Sequence, residues 1–511
     1  MKNICAFVLV AIFCYQIFDT ECNILPQAIQ IITRKNNVFQ LQLGDLKRIL
    51  ENDVIKDRYV VVVSIAGAFR KGKSFLMNIF IKYLNANYKG RHISDWLGEN
   101  GEGSIAGGFS WRGGQKPETM GIWMWSEVFT HDSENGDKLA IVLIDTQGIF
   151  DDKTGFEDCT KIFAISTMLS SVQCFNIMQH IQEDHLQQLE FFTEYGRIAQ
   201  MQKSAKPFQK LLFIVRDWPY SHETNYGNGQ ALIDEILTPT EDQALEMQEL
   251  RKRIKSSFQS TEAYLLPHPG RIVAEGDEFT GDVQQIDPKF RKYVKNLVIS
   301  LFAPENLIVK RINSQKMRAQ DLVQYFETYL NIFKGDSLPK PKTIIEANID
   351  ASNTILQKEC HNYYIKTMDK KLEERDLSAT ELIDLHKQTK SEAISQFLEK
   401  PKLGSDDHAS TFKSKLEYDI EETYQRIEKD NLQKLKFHIE QEEHKRKNRK
   451  LEKDIEDMRR KKNTGGLKIA YTIIGTGGGL LLTYFAGPLS PFVGGIAGFI
   501  ADRLRSNNDS E

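Results

Sequence analysis

No two cysteines in this 511-residue chain stand in C-x-x-C spacing, and no cluster of cysteine and histidine has the spacing of a zinc site. Cys5, Cys14, Cys22, Cys159, Cys174 and Cys360 are scattered. That pattern argues against a disulfide framework or a metal module and for reduced thiols, and Cys159 and Cys174, among apolar neighbours, are expected to pack as small hydrophobes. Charge of one sign is lacking as well: 67 lysines and arginines face 70 aspartates and glutamates, a formal net charge of -3. So even a balance predicts no nucleic-acid partner. Internal repeats are absent. What remains is an ordinary globular composition, 41% apolar and 27% charged. The length exceeds one ordinary core and implies a large head with at least one further unit.

The two ends of the chain are apolar and disagree about topology. Residues 1–22 read as a signal-like segment, with Lys2 ahead of an apolar run from Ile4 to Phe18 and a weak cleavage site near Thr20 and Cys22. Residues 467–502 form an apolar, membrane-associated tail, uncharged from Ile469 to Ala501, whose first part is long enough to span a bilayer as a helix. Gly487, Pro488 and Pro491 interrupt it, and residues 503–511 are polar. Just before the tail stand His444, Lys445, Arg446, Lys447, Arg449 and Lys450, then Arg459 to Lys462. By the positive-inside rule this flank is cytosolic. A working signal sequence would place the head in the lumen instead. The one Asn-x-Ser/Thr acceptor, Asn508, lies at the far end of the chain, which favours a cytosolic head.

Val60 to Ile65, Leu139 to Ile144 and Leu211 to Val215 are short, nearly continuous apolar runs, each followed by a polar motif. They read as strands buried on both faces of a mostly parallel sheet, with the motifs at carboxyl ends, where open α/β sheets bind ligands. The expected fold is an α/β P-loop domain over 36–333 with helices on both sheet faces. A Pro- and Gly-containing linker at 334–345 and a helical middle domain with a charged neck at 346–462 follow. Phe412, Leu416, Ile420, Ile427, Leu435 and Ile439 recur at helical spacing, whereas Glu440 to Lys462 keeps only Leu451, Ile455 and Met458 as anchors and reads as a solvated neck.

The first motif, Gly67-Ala-Phe-Arg-Lys-Gly-Lys-Ser74, fits GxxxxGK[ST] directly after a strand. Gly67 and Gly72 let successive amides face phosphate oxygens, Lys73 would reach the β/γ-phosphates, and the Ser74 hydroxyl would ligate Mg²⁺. Asp145-Thr-Gln-Gly148 ends the second strand. Its carboxylate would hold Mg²⁺ through water and the Gly148 amide would sense a γ-phosphate. Between them, Gly108-Phe-Ser-Trp-Arg-Gly-Gly114 and Glu118-Thr119-Met120-Gly121 form a switch candidate, with Thr119 as the hydroxyl that would join the metal. The Asn-Lys-x-Asp element that reads guanine in Ras-like proteins is missing, and the third strand ends in Arg216-Asp217-Trp218 instead. Asp217 could accept both guanine edge N–H groups, which adenine does not offer.

The P-loop with its internal Arg-Lys, the string GFSWRGG, DTQG, HIQEDHLQQLEFFTEYGR from His180 to Arg197, the Arg216-Asp217-Trp218 element and LLPHPG from Leu265 to Gly270 together resemble the atlastins. These are dynamin-superfamily GTPases related to guanylate-binding proteins. The likeness runs from about Val38 to Pro341. It implies that Arg70 acts as an arginine finger in cis, that Lys71 to Phe75, Gln147, Arg216 and Asp217 contact nucleotide, and that Val273 lies in the guanine cap. It further implies Ser74 and Asp145 in the metal site, a GTP-dependent homodimer, and fusion of endoplasmic reticulum bilayers. Ile149 stands where Ras-like proteins carry a glutamine, so hydrolysis is expected to lean on Arg70 and backbone groups. Met120, Pro117 and Gly276 depart from the family pattern. The alternatives are a soluble or peripheral GTP-binding scaffold resembling guanylate-binding proteins, and a lumenal or secreted binding module.

Overall fold

The computed structural model describes residues 25–35, 38–68, 71–90, 93–101, 103–110, 121–146, 156–190, 206–275, 279–334, 340–375, 377–400, 406–462, 471–476 and 479–484. The signal-like segment 1–22 and the polar tail 503–511 lie outside these residues.

The elements in order are β1 (Ala28–Lys35), β2 (Val38–Leu41), α1 (Leu43–Leu50), β3 (Tyr59–Gly67), α2 (Lys73–Asn87), β4 (Gly121–Trp125), β5 (Phe129–Asp132), β6 (Lys138–Thr146), α3 (Phe156–Leu169), β7 (Val172–Met178), α4 (Glu183–Gln187), β8 (Phe208–Arg216) and β9 (Gly227–Asn228). There follow α5 (Gln230–Ile236), α6 (Leu245–Ser257), β10 (Phe258–Leu265), α7 (Arg271–Glu275), α8 (Pro288–Phe302), β11 (Arg311–Ile312), β12 (Gln315–Lys316) and α9 (Ala319–Ile332). The helices α10 (Pro341–Glu374), α11 (Ala379–Glu399) and α12 (Asp406–Lys462) precede the strands β13 (Tyr471–Thr476) and β14 (Gly479–Tyr484).

The central sheet has ten strands in the order β2-β1-β4-β6-β3-β7-β8-β10-β9, with β5 paired to β6. Strands β6, β3, β7, β8 and β10 run parallel, and the remaining strands join antiparallel. The sheet is therefore mixed rather than mostly parallel. The apolar runs that signal a parallel core say nothing about β1, β2 and β4, which add on antiparallel at one edge, β1 and β2 as neighbours in the chain and β1 and β4 far apart in it.

Strand alternation explains the double burial. In β3, Val60, Val62 and Ala66 face the core shared with α1, α3 and α9, while Val61, Val63 and Ile65 face the core shared with α2 and α8. The same split divides Ala140, Val142 and Ile144 from Leu139, Ile141 and Leu143 in β6. Side chains that alternate every residue need a helix layer on each face, and both are present.

The described residues divide into two compact units, one within Met1–Tyr364 and Lys390–Asp419, the other within Ile365–Thr389 and Ile420–Glu511. In the first, α10 inserts Ile344, Ile345 and Ala351 into the core beside α9. Lys400 Nζ pairs with Glu359 at 2.6 Å, and Tyr363 Oη donates to Glu392 at 2.8 Å. In the second, Met368, Leu382 and Ile427 are buried, His386 stacks on Tyr424 at 3.9 Å, and Asn431 Nδ2 donates to the Leu377 carbonyl at 2.9 Å. The apolar face of α12 is buried through Leu416, Ile420 and Ile427, but Leu435 is half-buried and Ile439 is 59% exposed.

No helix among the described residues is long and apolar enough to cross a membrane. The expected tail, 467–502, lies largely outside them. Its two described stretches, β13 and β14, pair antiparallel from Tyr471 opposite Tyr484 to Thr476 opposite Gly479, in place of the expected spanning helix. Their Ile, Thr and Tyr content favours strands, and the glycines at 475 and 477–479 weaken a helix there.

Candidate functional site

The register of the parallel strands gathers the motifs at one edge. Ile65 of β3 is level with Asp145 of β6, Gly67 with Asn176 of β7, and Met178 of β7 with Arg216 of β8. Strand β3 lies between β6 and β7, and the chain passes from β6 through α3 to β7. This is a point where connections leave in opposite directions, which opens a crevice beyond the strand ends.

Two glycines make the turn possible. Gly67 has φ 145°, and a Cβ there would lie 2.2 Å from the Asn176 carbonyl oxygen. Gly72, at the N-cap of α2, has φ 74°, and its Cβ would lie 1.8 Å from Arg216 Nη1. Both conformations and both spaces exclude a side chain. The loop is tied down from below: the Lys71 carbonyl accepts from Arg216 Nη1 at 2.6 Å and from Asn176 Nδ2 at 2.8 Å.

Lys73 opens α2 and is 6% exposed. Its ammonium donates to the carbonyls of Gly67 at 3.1 Å and Ala68 at 3.0 Å. Burial lowers its pKa to about 8, with Asp145 pulling the other way. Burial also raises Asp145 to about 6, opposed by Lys73 and by the Ser74 hydroxyl, which donates to Asp145 Oδ2 at 2.6 Å. Both buried charges are therefore held at a desolvation cost. An anionic oxygen beside Lys73 and a cation beside Asp145 would relieve it.

Several buried polar atoms without a hydrogen-bond partner collect here: Asp145 Oδ1, Asn176 Oδ1, Arg216 Nε, Asp217 Oδ1 and, on α2, Asn78 Oδ1. Unsatisfied buried groups are costly in a folded chain and need an explanation. A ligand with oxygens, a cation and a purine edge supplies one. The oxygen set of Ser74 and Asp145 fits a hard cation such as Mg²⁺. No group of three or more His, Cys, Asp or Glu side chains suited to a metal occurs among the described residues. Cys159, Cys174 and Cys360 are buried outside any disulfide, and for Cys159 and Cys174 this is the packing that their apolar neighbours predict.

Phe75 is buried in the core, its ring 6.2 Å from Phe279 and 6.1 Å from Phe290, so only its backbone can meet a nucleotide. Arg216 is buried and turned under the P-loop, its pKa lowered by burial against the pull of Asp217. Asp217 follows it at φ 55°, a left-handed conformation that sets the carboxylate off the strand line. The Trp218 amide donates to the Leu266 carbonyl at 3.0 Å, which fastens the segment leading to α7 against this strand end. Val273 lies in α7, half-buried. Arg70, Thr119, Gln147 and Gly148 lie outside the described residues, as do Pro117, Met120, Ile149 and Gly276.

Two residues of the site escape a motif reading. Asn176 is the polar interruption in the otherwise apolar end of β7, and that interruption is the available signal. Asn78 Nδ2 donates to the Phe109 carbonyl at 3.1 Å, and a Cβ on Gly108 would lie 2.2 Å from Asn78 Oδ1. Helix α2 thus anchors the start of the glycine-rich segment, a contact that no spacing in the sequence announces.

Comparison with known proteins agrees with this arrangement. The family model described as guanylate-binding protein, N-terminal domain, matches residues 36–311. Atlastin of Drosophila melanogaster is 43% identical over 415 residues, covering 80% of this chain and 76% of that protein. Atlastin-2 of Homo sapiens is 40% identical over 410 residues, covering 80% and 69%, and Atlastin-3 of Mus musculus is 41% identical over 416 residues, covering 81% and 76%. A septin GTPase domain from Chlamydomonas reinhardtii superposes on 37% of this chain and 64% of that one at 12% identity with a TM-score of 0.22, too partial a match to bear on the fold. With a GxxxxGK[ST] loop and a strand-end aspartate converging on one crevice, and this identity over four-fifths of its length, the chain belongs to the atlastin family of GTPases.

Proposed function

We propose that the chain binds GTP with Mg²⁺ at the edge of β3, β6, β7 and β8, and couples its hydrolysis to pairing of two heads and to tethering and fusion of endoplasmic reticulum membranes. The observation that carries this reading is the buried Lys73, parked on the Gly67 and Ala68 carbonyls beside the Ser74–Asp145 pair. Backbone amides from Lys71 to Phe75 cradle the phosphates, and Lys73 exchanges its two carbonyl partners for β/γ oxygens. Ser74, Asp145 and Thr119 would hold the metal, which would supply neutralisation of phosphate charge. Gln147 and Gly148 meet the γ-phosphate side, Asp217 accepts from the guanine edge beside Arg216, and Val273 belongs to the cap over the base. Arg70 neutralises charge that develops during hydrolysis.

The test is single-turnover hydrolysis with GTP and ATP in the presence of Mg²⁺. Arg70→Ala should slow GTP turnover on the order of 10³-fold with GTP affinity retained. Unchanged turnover removes the finger, and equal handling of ATP removes the role given to Asp217. The head is proposed to be cytosolic, and a protease-protected head would favour the lumenal alternative.

The antiparallel pairing of β13 with β14 favours a second reading, a peripheral scaffold resembling guanylate-binding proteins whose tail packs against protein rather than spanning lipid. Carbonate extraction separates the two: retention of the full chain in the membrane pellet supports the fusion machine, and release supports the scaffold.

A further inference from the structure

Among the described side chains of α12 Asn431 is the last that is buried, and every one from Leu432 to Asp457 is exposed or half-exposed. The helix nevertheless continues to Lys462. Those 31 positions, 432 to 462, extend about 46 Å at 1.5 Å per residue. A lone helix of such charge density gains little from propensity alone.

Its sequence is ordered in a way that solvation does not require. Between Glu440 and Arg460 the residues other than Asp, Glu, Lys and Arg are Gln441, His444, Asn448, Leu451, Ile455 and Met458. Their separations are 3, 4, 3, 4 and 3. That is the seam of a left-handed coiled coil, with Gln441, Asn448 and Ile455 at a positions and His444, Leu451 and Met458 at d positions. The seam extends one step upstream to Phe437, which is 58% exposed. Ile439, also exposed, lies off it.

The flanking positions carry a matching code. In a parallel dimer each g residue faces the e residue five positions later on the partner helix. Here those pairs are Glu440 with Lys445, Lys447 with Glu452, and Asp454 with Arg459, each of opposite charge. Lys445 is now paired with Glu442 of its own helix at 2.9 Å, an exposed contact that can be exchanged at little cost.

We propose that residues 437–458 of α12 pair with the same segment of a second copy of this chain as a parallel coiled coil that does not require nucleotide. Alternating charge alone would also permit an antiparallel pair. The seam decides between them: parallel packing sets Gln441, His444 and Asn448 each against itself and Leu451, Ile455 and Met458 each against itself. Antiparallel packing sets Asn448 against Leu451 and Ile455 against His444, leaving polar groups buried without partners. An a-position asparagine facing its own copy also fixes register. With half its seam polar and only about three heptads, the pair is expected to be weak and reversible.

The experiment uses full-length, nucleotide-free protein in detergent, so that pairing through the head does not contribute. Ile455→Cys should give a disulfide-linked dimer on mild oxidation, above the level of the parent chain, whereas Lys453→Cys, on the outer face, should not. E452K should raise the dimer dissociation constant roughly tenfold, and adding K447E to it should restore the parent value. Four results overturn the proposal: a monomer by sedimentation, equal crosslinking at 453 and 455, crosslinking of a His444→Cys, Ile455→Cys double variant without self-crosslinking at 455, or no effect of E452K. None of them bears on GTP turnover, so the nucleotide reading stands or falls separately.

Discussion

The two ends of the central strands treat buried polar groups in opposite ways. At the carboxyl ends, Asp145 Oδ1, Asn176 Oδ1 and Arg216 Nε are buried without partners, and Lys73 occupies two carbonyls as substitutes. Toward the amino ends, Ser171 Oγ donates to the Val62 carbonyl at 3.1 Å and accepts from the Val62 amide at 3.0 Å. Nearby, Lys310 Nζ donates to the Ser170 carbonyl at 2.9 Å. These amino-end groups are partnered, Gln209 Oε1 at the start of β8 being the exception, whereas the carboxyl end gathers a larger set of unpartnered atoms open to a ligand. A buried ammonium is thus insufficient to mark a site: Lys73 and Lys310 are both buried, but only Lys73 sits in a glycine turn beside a carboxylate and unpartnered oxygens.

Replacing Lys73 with Ala should have the largest effect, cutting GTP turnover on the order of 10³-fold while denaturant unfolding of the head shows native stability or better. A comparable loss with Lys310→Met would erase the contrast. The second test turns on pH. Burial lowers Lys310 to about 7 from the ordinary 10.5. The unfolded chain therefore binds more protons between those values, so this group's contribution makes the native state more stable as pH rises from about 7 to 10.5 and flat below 7. Lys310→Met should remove that rise, at most roughly 5 kcal/mol across the whole interval, read as denaturation midpoints, with GTP hydrolysis at pH 7 unaltered.

Smaller changes sharpen the open end. Gly72→Ala would require a left-handed alanine and a Cβ against Arg216, which should lower stability by about 1–3 kcal/mol and weaken GTP binding, measured by denaturation and nucleotide titration. Asn176→Ala removes one of the two donors on the Lys71 carbonyl and should weaken GTP binding by about 3- to 10-fold with little change in unfolding. An effect at Asn176 as large as that at Lys73 would mean that the asparagine meets the ligand directly.

Motif spacing makes much of this edge legible in the sequence. Gly67, Gly72, Lys73 and Ser74 are fixed by a local turn that eight consecutive residues specify, and Asp145 follows because a doubly buried strand places its motif at the same edge. The strands β3, β6 and β8 were legible from nearly continuous apolar runs. Strand β7 was not, because Gln173 and Asn176 interrupt its pattern, and the antiparallel edge was not, because pairing partners distant in sequence leave no local signature.

By itself the sequence determined the family, the phosphate-binding turn and the strand-end carboxylate, since each depends on neighbours within a few residues. Tertiary structure alone decided that Arg216 and Asn176 brace the Lys71 carbonyl, that Phe75 is a core residue, that Asn78 anchors the glycine-rich segment, and that the described face of α12 loses its cover after Asn431. These are contacts between residues far apart in the chain, and burial, which sets both the unpartnered oxygens and the shifted charges, exists only once the layers have packed.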